Sequence, residues 1–186
     1  MKKVAVILLL LMIVFTGCGN ETPAAEESGG EAQTATTAED TRDYTLEEYL
    51  KIETGAAYED ICGLLGDAGE EMAGGDRLKQ YIWSNEDDTN ISVTFCDNEV
   101  TAKSQYGLGP FLSGSKKVTR TQYEKLKEGL SLKEVTDILG PGTEMMSATS
   151  EGQETSMYVW QNDDGGMISV TLEGDQVTKI SGMMLE

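Results

Sequence analysis

The chain has 186 residues and is strongly acidic, with 33 Asp and Glu against 14 Lys and Arg and a formal net charge of −19. Such a charge repels phosphate backbones, which excludes nucleic acid as a partner. The sequence contains no histidine, so the commonest general base and the commonest metal ligand are both missing. We therefore expect no catalytic residues, no metal and no other cofactor.

The first 17 residues predict an export signal. Two lysines precede an apolar run over residues 4–15, which is shorter than the ~20 residues that a membrane-spanning helix needs, so an uncleaved anchor is the less favoured alternative. Residues 15–18, Phe-Thr-Gly-Cys, are similar to a bacterial lipobox, in which Leu is more usual than Phe at the first position. Cleavage would leave Cys18 as a lipidated N-terminus.

The predicted location is the outer face of a cell membrane. Anionic headgroups repel so acidic a chain, so the lipid on Cys18 must hold it at the bilayer. Gly19 and Asn20 follow the cysteine and no Asp stands there, which favours a Gram-positive cell. Residues 18–43 are rich in Glu, Ala, Thr, Gly and Ser without apolar periodicity, and we predict a disordered acidic tether.

The rest of the chain contains an internal repeat. Thr45, Tyr49 and Gly55 recur 74 residues later as Thr119, Tyr123 and Gly129, and further pairs follow at a spacing of 77. Those later pairs are Tyr81 and Tyr158, Trp83 and Trp160, Ile91 and Ile168, Val93 and Val170, and Val100 and Val177. The repeat predicts two units, residues 44–108 and 118–186, joined by a linker at 109–117.

Each unit predicts two short helices and then three strands. Thr45 with Glu48, and Thr119 with Gln122, fit capping boxes at the start of a helix that stops at Gly55 or Gly129. A second helix carries apolar residues at helical spacing. The strands are predicted at 78–84, 90–96 and 99–105, and again at 155–161, 167–173 and 176–182. The expected fold class is α+β, with tandem ααβββ repeats whose helices pack on one face of an antiparallel sheet and leave the other face open.

Two segments resemble the β-lactamase inhibitor protein family. They are Glu128–Gly140, Glu-Gly-Leu-Ser-Leu-Lys-Glu-Val-Thr-Asp-Ile-Leu-Gly, and 103–105, Lys-Ser-Gln. The pattern also resembles uncharacterised Gram-positive lipoproteins and, more distantly, single-unit lipoproteins of the BamE/SmpA type. The resemblance implies a concave sheet face that grips a partner protein, and a first-unit hairpin Asp, here Asp87 or Asp88, that engages it.

The sequence departs from the inhibitor's contact residues. Tyr106 and Gly107 replace a charged pair, the second hairpin 162–166 has no aromatic tip, and the inhibitor's disulfides have no matching cysteines. We therefore expect the fold without assuming the inhibition. Cys62 and Cys96 are predicted on opposite sides of the sheet, which disfavours a disulfide between them.

The candidate partner-binding residues lie on the polar strand positions and in two hairpins. They are Asp87, Asp88, Ser92, Thr94, Ser104, Tyr106, Asp163, Asp164, Ser169 and Thr171. An ordinary solvated sheet face is an equal alternative for the hydroxyls, and solvated loops are favoured over calcium sites for the acidic clusters. The period-two aromatics Tyr81, Trp83, Tyr158 and Trp160 could line a binding face, but core packing is favoured for them, as it is for most methionines.

Four functions are compatible with this reading. The favoured one is a membrane-anchored module that binds an unknown envelope or secreted protein. The alternatives are an inhibitor of a β-lactamase or cell-wall enzyme, an envelope-assembly protein, and a small-ligand sensor.

Overall fold

The computed structural model describes residues 42–109 and 117–186. Its first half contains α1 (Leu46–Lys51), α2 (Tyr58–Leu65), β1 (Glu70–Gly74), β2 (Leu78–Ser84), β3 (Asn90–Cys96) and β4 (Glu99–Tyr106). Its second half contains α3 (Arg120–Tyr123), α4 (Leu132–Leu139), β5 (Thr143–Ser150), β6 (Gln153–Gln161), β7 (Met167–Glu173) and β8 (Gln176–Met183). These strands form one antiparallel sheet in chain order, β1 to β8.

The predicted ααβββ unit is wrong by one strand, because each half of the described chain has four. The strands missed from the sequence are β1 and β5. Every residue of β1 is exposed, so β1 has no alternation of apolar and polar residues. Both strands also contain a register shift, between Glu71 and Ala73 and between Glu144 and Met146, and such a bulge breaks the period of two. The six predicted strands occur within two residues of their expected bounds.

The helix starts follow the predicted capping chemistry. Thr45 and Thr119 each accept a hydrogen bond from the backbone N–H three residues on, and Glu48 and Gln122 complete the boxes. Ser131 forms a third box with Glu134 at α4, which was not foreseen. Capping satisfies backbone donors that a helix start leaves without partners.

The first helix of each half ends earlier than predicted. α1 ends at Lys51 and α3 at Tyr123, whereas Gly55 and Gly129 lie in the turns beyond, with φ of +84° and +83°. Their N–H groups donate to Val100 O and Val177 O, each over 2.8 Å. These glycines therefore direct the chain onto the last strand of their own half, where a left-handed φ favours glycine.

Each half has its own apolar core between its helices and one side of its strands. The first core comprises Tyr49, Ile52, Ile61, Leu65, Trp83, Ile91, Val93, Phe95 and Val100. The second comprises Val118, Leu126, Val135, Leu139, Trp160, Ile168, Val170, Leu172, Val177 and Leu185. The structure describes no helix that has both the length and the apolar character to cross a bilayer.

The two tryptophans are core residues, which confirms the favoured interpretation for them, whereas Tyr81 and Tyr158 are partly buried and pack against the two cores. Trp83 is 1% exposed and Trp160 is fully buried. Trp160 Nε1 donates to Gly140 O over 2.9 Å, and Trp83 Nε1 donates to Asp67 O over 3.2 Å. These bonds satisfy the indole N–H groups, so burying the rings leaves no polar atom without a partner.

Candidate functional site

The predicted hydroxyl residues lie on the side of the sheet that faces away from the core residues of the same strands. In β3, Ser92 and Thr94 are partly exposed and alternate with buried Ile91, Val93 and Phe95. β7 repeats the pattern, with Ser169 and Thr171 partly exposed between Ile168, Val170 and Leu172. Ser104 joins this side because it pairs with Ser92. The hydroxyl-bearing residues of β3 and β4 thus lie in the first half of the sheet, and those of β7 lie in the second half.

An apolar centre lies between them, which the sequence did not predict. Across the junction of the halves, Ser104 pairs with Met146 and Ala102 with Ala148, and Met146 pairs with Met157. Val159, two residues beyond Met157, lies on the same side. We call Ala102, Met146, Ala148, Met157 and Val159 the central strip. Ala148 and Val159 are buried, at 5% and 7% exposure, and the other three are partly exposed.

The candidate acids and Tyr106 all lie at one end of this sheet. The β2–β3 hairpin carries Asp87 and Asp88, and the β6–β7 hairpin carries Asp163 and Asp164. In an antiparallel sheet with strands in chain order, successive hairpins alternate between the two ends, so these two hairpins share an end. Tyr106 ends β4 there, opposite Asn90, and is 64% exposed.

Two of the four acids hold their turns in shape. Asp87 Oδ1 accepts hydrogen bonds from Thr89 Oγ1 over 2.6 Å and from Thr89 N over 3.1 Å, and these bonds lower the pKa of Asp87. Asp164 pairs with Lys117 and accepts from Gly166 N, which lowers its pKa as well. Asp88 and Asp163 are exposed, and neither forms an ion pair within the described ranges 42–109 and 117–186. These two acids are therefore the ones available to a partner.

A largely buried polar cluster joins the two halves on the helix side of the sheet. Glu144 in β5 accepts hydrogen bonds from Tyr49 Oη over 3.1 Å and from Tyr158 Oη over 3.0 Å. Lys103 Nζ lies 3.3 Å from Glu144 Oε1 and 4.6 Å from the centre of the Tyr49 ring. Burial, followed by the charge of Glu144, raises the pKa of both tyrosines, so both remain hydrogen-bond donors at neutral pH.

Gln105 extends this cluster along the junction. Its Nε2 donates to Glu144 O over 3.0 Å, and its Oε1 accepts from Leu108 N over 3.1 Å. Lys103 and Gln105 are the outer residues of the Lys-Ser-Gln segment that carried the family resemblance. The sequence singled out only Ser104 between them as a site residue, because alternation along a strand does not reveal that charged side chains point inward.

Cys62 lies on α2 and Cys96 on β3, both are partly exposed, and they are not joined to each other by a disulfide. Burial raises the pKa of the Cys62 thiol. No group of three acidic or thiol side chains in the described part of the chain could hold a metal ion. Cys18, the predicted export signal, residues 18–41 of the predicted tether and residues 110–116 of the predicted linker lie outside the described residues.

The comparisons agree with this architecture. The family model for beta-lactamase inhibitors (BLIP) matches residues 45–160 and 119–185, so the chain belongs to the BLIP family. The fold is similar to the crystal structure of a candidate beta-lactamase inhibitor protein from Streptococcus mutans, with a TM-score of 0.60 and 21% identity. That similarity covers 75% of this chain and 95% of the other. No curated protein matches the sequence significantly.

Proposed function

We propose that this protein is a lipid-anchored extracytoplasmic module that grips another envelope or secreted protein with the sheet face carrying the central strip. The observation that carries the proposal is the composition of that face. Its middle is apolar, its flanks carry hydroxyl groups, and an exposed tyrosine stands at one end. Protein interfaces commonly combine an apolar core, a polar rim and aromatic anchors.

The two sets of hydroxyl-bearing residues on this face are suited to hydrogen bonding with a bound protein. Ser92, Thr94 and Ser104 lie on the first-half side of the strip, and Ser169 and Thr171 lie on the second-half side. Side-chain hydroxyls both donate and accept hydrogen bonds, so they can satisfy the polar groups of a partner whose apolar residues cover the strip. Non-catalytic binding is also what membership of an inhibitor family favours.

Lipidation of Cys18 would place this face near, but not on, the membrane. The tether that the sequence predicts at residues 19–43 would span roughly 25–30 Å on average. In the Cys18→Ser variant we expect the protein to leave the membrane fraction, because nothing else in an acidic chain retains it at anionic lipids. If the variant stays with the membrane as fully as the parent chain, Cys18 is not the anchor.

Binding by this face is tested by photocrosslinking in cells. A benzoylphenylalanine placed at Tyr106 should give discrete adducts with a partner protein. Leu50 is the matched control, because it is 52% exposed but lies on α1, in the helix layer. Adducts from position 50 and none from position 106 would assign binding to the helices and contradict the proposal.

Inhibition of a β-lactamase is a second candidate, supported by the family match. Asp87 and Asp88 occupy the hairpin that the resemblance connects with the enzyme contact, but Asp87 already bonds Thr89 and the second hairpin has no aromatic residue. Titration of the full chain against class A β-lactamases separates the candidates. Inhibition at micromolar concentration, lost in Asp88→Ala, would establish the inhibitor function, and no inhibition would leave a different partner.

A further inference from the structure

We propose that the partner of this face is cationic: a protein segment with apolar residues for the central strip and lysines or arginines around them. This inference rests on the proposed function and names the chemistry of its partner. It arises from the distribution of charge around the strip, which is almost entirely of one sign.

The acidic residues surround the face from several sides. On the sheet itself, Glu70 pairs with Ile82, Glu99 with Cys96 and Glu173 with Thr155, which places all three carboxylates on the side of the strip. All three glutamates are exposed. Lys179, which pairs with Thr171, is the basic residue that register places on this side among the described strands. The face therefore carries a net negative charge before its loops are counted.

The loops at the Tyr106 end add to that charge. Glu86, Asp88 and Asp163 are exposed and form no ion pair within the described residues, whereas Asp164 is neutralised by Lys117. β6 ends at Gln161, so the chain from Val159 to Asp163 spans at most about 13 Å, its fully extended length. A lysine or arginine flanking an apolar contact on the strip can reach these carboxylates.

This arrangement selects partners by charge. An acidic segment would bring like charges together around a contact that excludes water, which costs binding free energy, while a basic segment is attracted before contact and held after it. The apolar strip supplies the part of the affinity that salt does not weaken. The carboxylates supply the salt-dependent part, which is screened beyond about 8 Å at physiological ionic strength.

The test uses the full lipidated chain in phosphatidylcholine nanodiscs, with empty nanodiscs as the blank. The probes are two amphipathic peptides of equal length with the same leucines, one carrying lysines and the other glutamates. We expect the lysine peptide to bind at least about 10-fold more tightly than the glutamate peptide at 50 mM salt. We also expect this preference to shrink at 300 mM salt.

A matched pair of triple variants locates the effect. Glu86→Gln/Asp88→Asn/Asp163→Asn removes three charges near the face but keeps Asp87 and Asp164, which shape the turns. It should weaken binding of the lysine peptide about 3- to 10-fold. The control Asp60→Asn/Glu124→Gln/Glu128→Gln removes three exposed charges from the helix layer and should leave binding unchanged.

Three results would overturn the inference: equal affinity for the two peptides, no binding of either, or equal weakening by both triple variants. Crosslinking at Tyr106 distinguishes this failure from failure of the proposed function. If position 106 still captures a partner, the face binds protein and only the charge selection is wrong. If position 106 captures nothing and neither peptide binds, both proposals fail.

Discussion

Glu144→Gln should be among the most destabilising isosteric changes in this protein. Its one carboxylate accepts hydrogen bonds from two tyrosines and pairs with a lysine, and these partners come from both halves of the sheet. The variant keeps the shape of the side chain but removes its charge. Lys103 then has no counter-charge, and its side chain is only 10% exposed. The hydroxyls of Tyr49 and Tyr158 lose a charged acceptor.

The magnitude follows from these contacts. Removing one member of a buried ion pair costs about 3–5 kcal/mol, and the residual exposure of Lys103 and Glu144, 10% and 12%, places the cost at the lower end. We expect a loss of about 3 kcal/mol in the free energy of unfolding, which would lower Tm by about 10 °C in a domain of this size. Urea denaturation followed by the fluorescence of the buried tryptophans measures it.

A double-mutant cycle separates the ion pair from simple loss of packing. Lys103→Met alone should also destabilise, but Lys103→Met/Glu144→Gln should cost clearly less than the sum of the two single changes, because the double variant leaves no buried charge without a partner. Lys133 and Asp137 form the control pair, with side chains 81% and 63% exposed. Their cycle should show much weaker coupling, because exposed pairs four residues apart on a helix interact only slightly. Additive costs for Lys103 and Glu144 would refute the assignment of this cluster as a coupled unit.

Four further changes test the fold and its turns. Gly142→Ala would place a Cβ 2.5 Å from the Trp160 ring and should destabilise by about 1–3 kcal/mol. The same substitution at Gly63, where the added Cβ meets no atom within 4 Å, should stabilise α2 by about 0.5–1 kcal/mol. Thermal melts should therefore show a lower Tm for Gly142→Ala and a higher Tm for Gly63→Ala. Asn162→Ala removes the two side-chain hydrogen bonds to the backbone of Val118, the residue before the α3 cap. It should lower the free energy of unfolding by about 1–3 kcal/mol and speed hydrogen exchange at the Val118 amide. The pKa of Asp87 is lowered in the folded chain. Its contribution to folding stability is therefore present above its usual pKa of 3.8 and is lost as pH falls through the lower folded pKa. Wild type should lose more stability than Asp87→Asn over that interval, and equal losses would contradict the role of its turn bonds.

Recurrent tertiary contacts explain why the internal repeat was readable from the sequence. Asn85 bonds the backbone N–H and C=O of Tyr44, and Asn162 bonds those of Val118 in the same way. These contacts require an asparagine at the matching position of each half but no particular side chain on the partner residue, so Asn85 and Asn162 recur in the sequence.

The sequence by itself determined the six regular strands, the starts of α1 and α3 and the burial of the tryptophans. Each of these depends on neighbours in the chain: alternation within one strand, a capping residue three positions from its partner, or an apolar stripe. β1 and β5 escaped because bulges interrupt their alternation, and alternation is the local signal that predicts a strand.

Only the tertiary structure decided how the two halves meet. From the local sequence pattern, core filling was the favoured role for Met146 and Met157, and nothing predicted that Glu144 points inward. Pairing of β4 with β5 places these methionines in the centre of one sheet face and directs Glu144 to Lys103 and two tyrosines on the other. Such an arrangement depends on register between strands whose paired residues lie 42 to 46 positions apart in sequence. Register is set by packing across the sheet rather than by either strand alone.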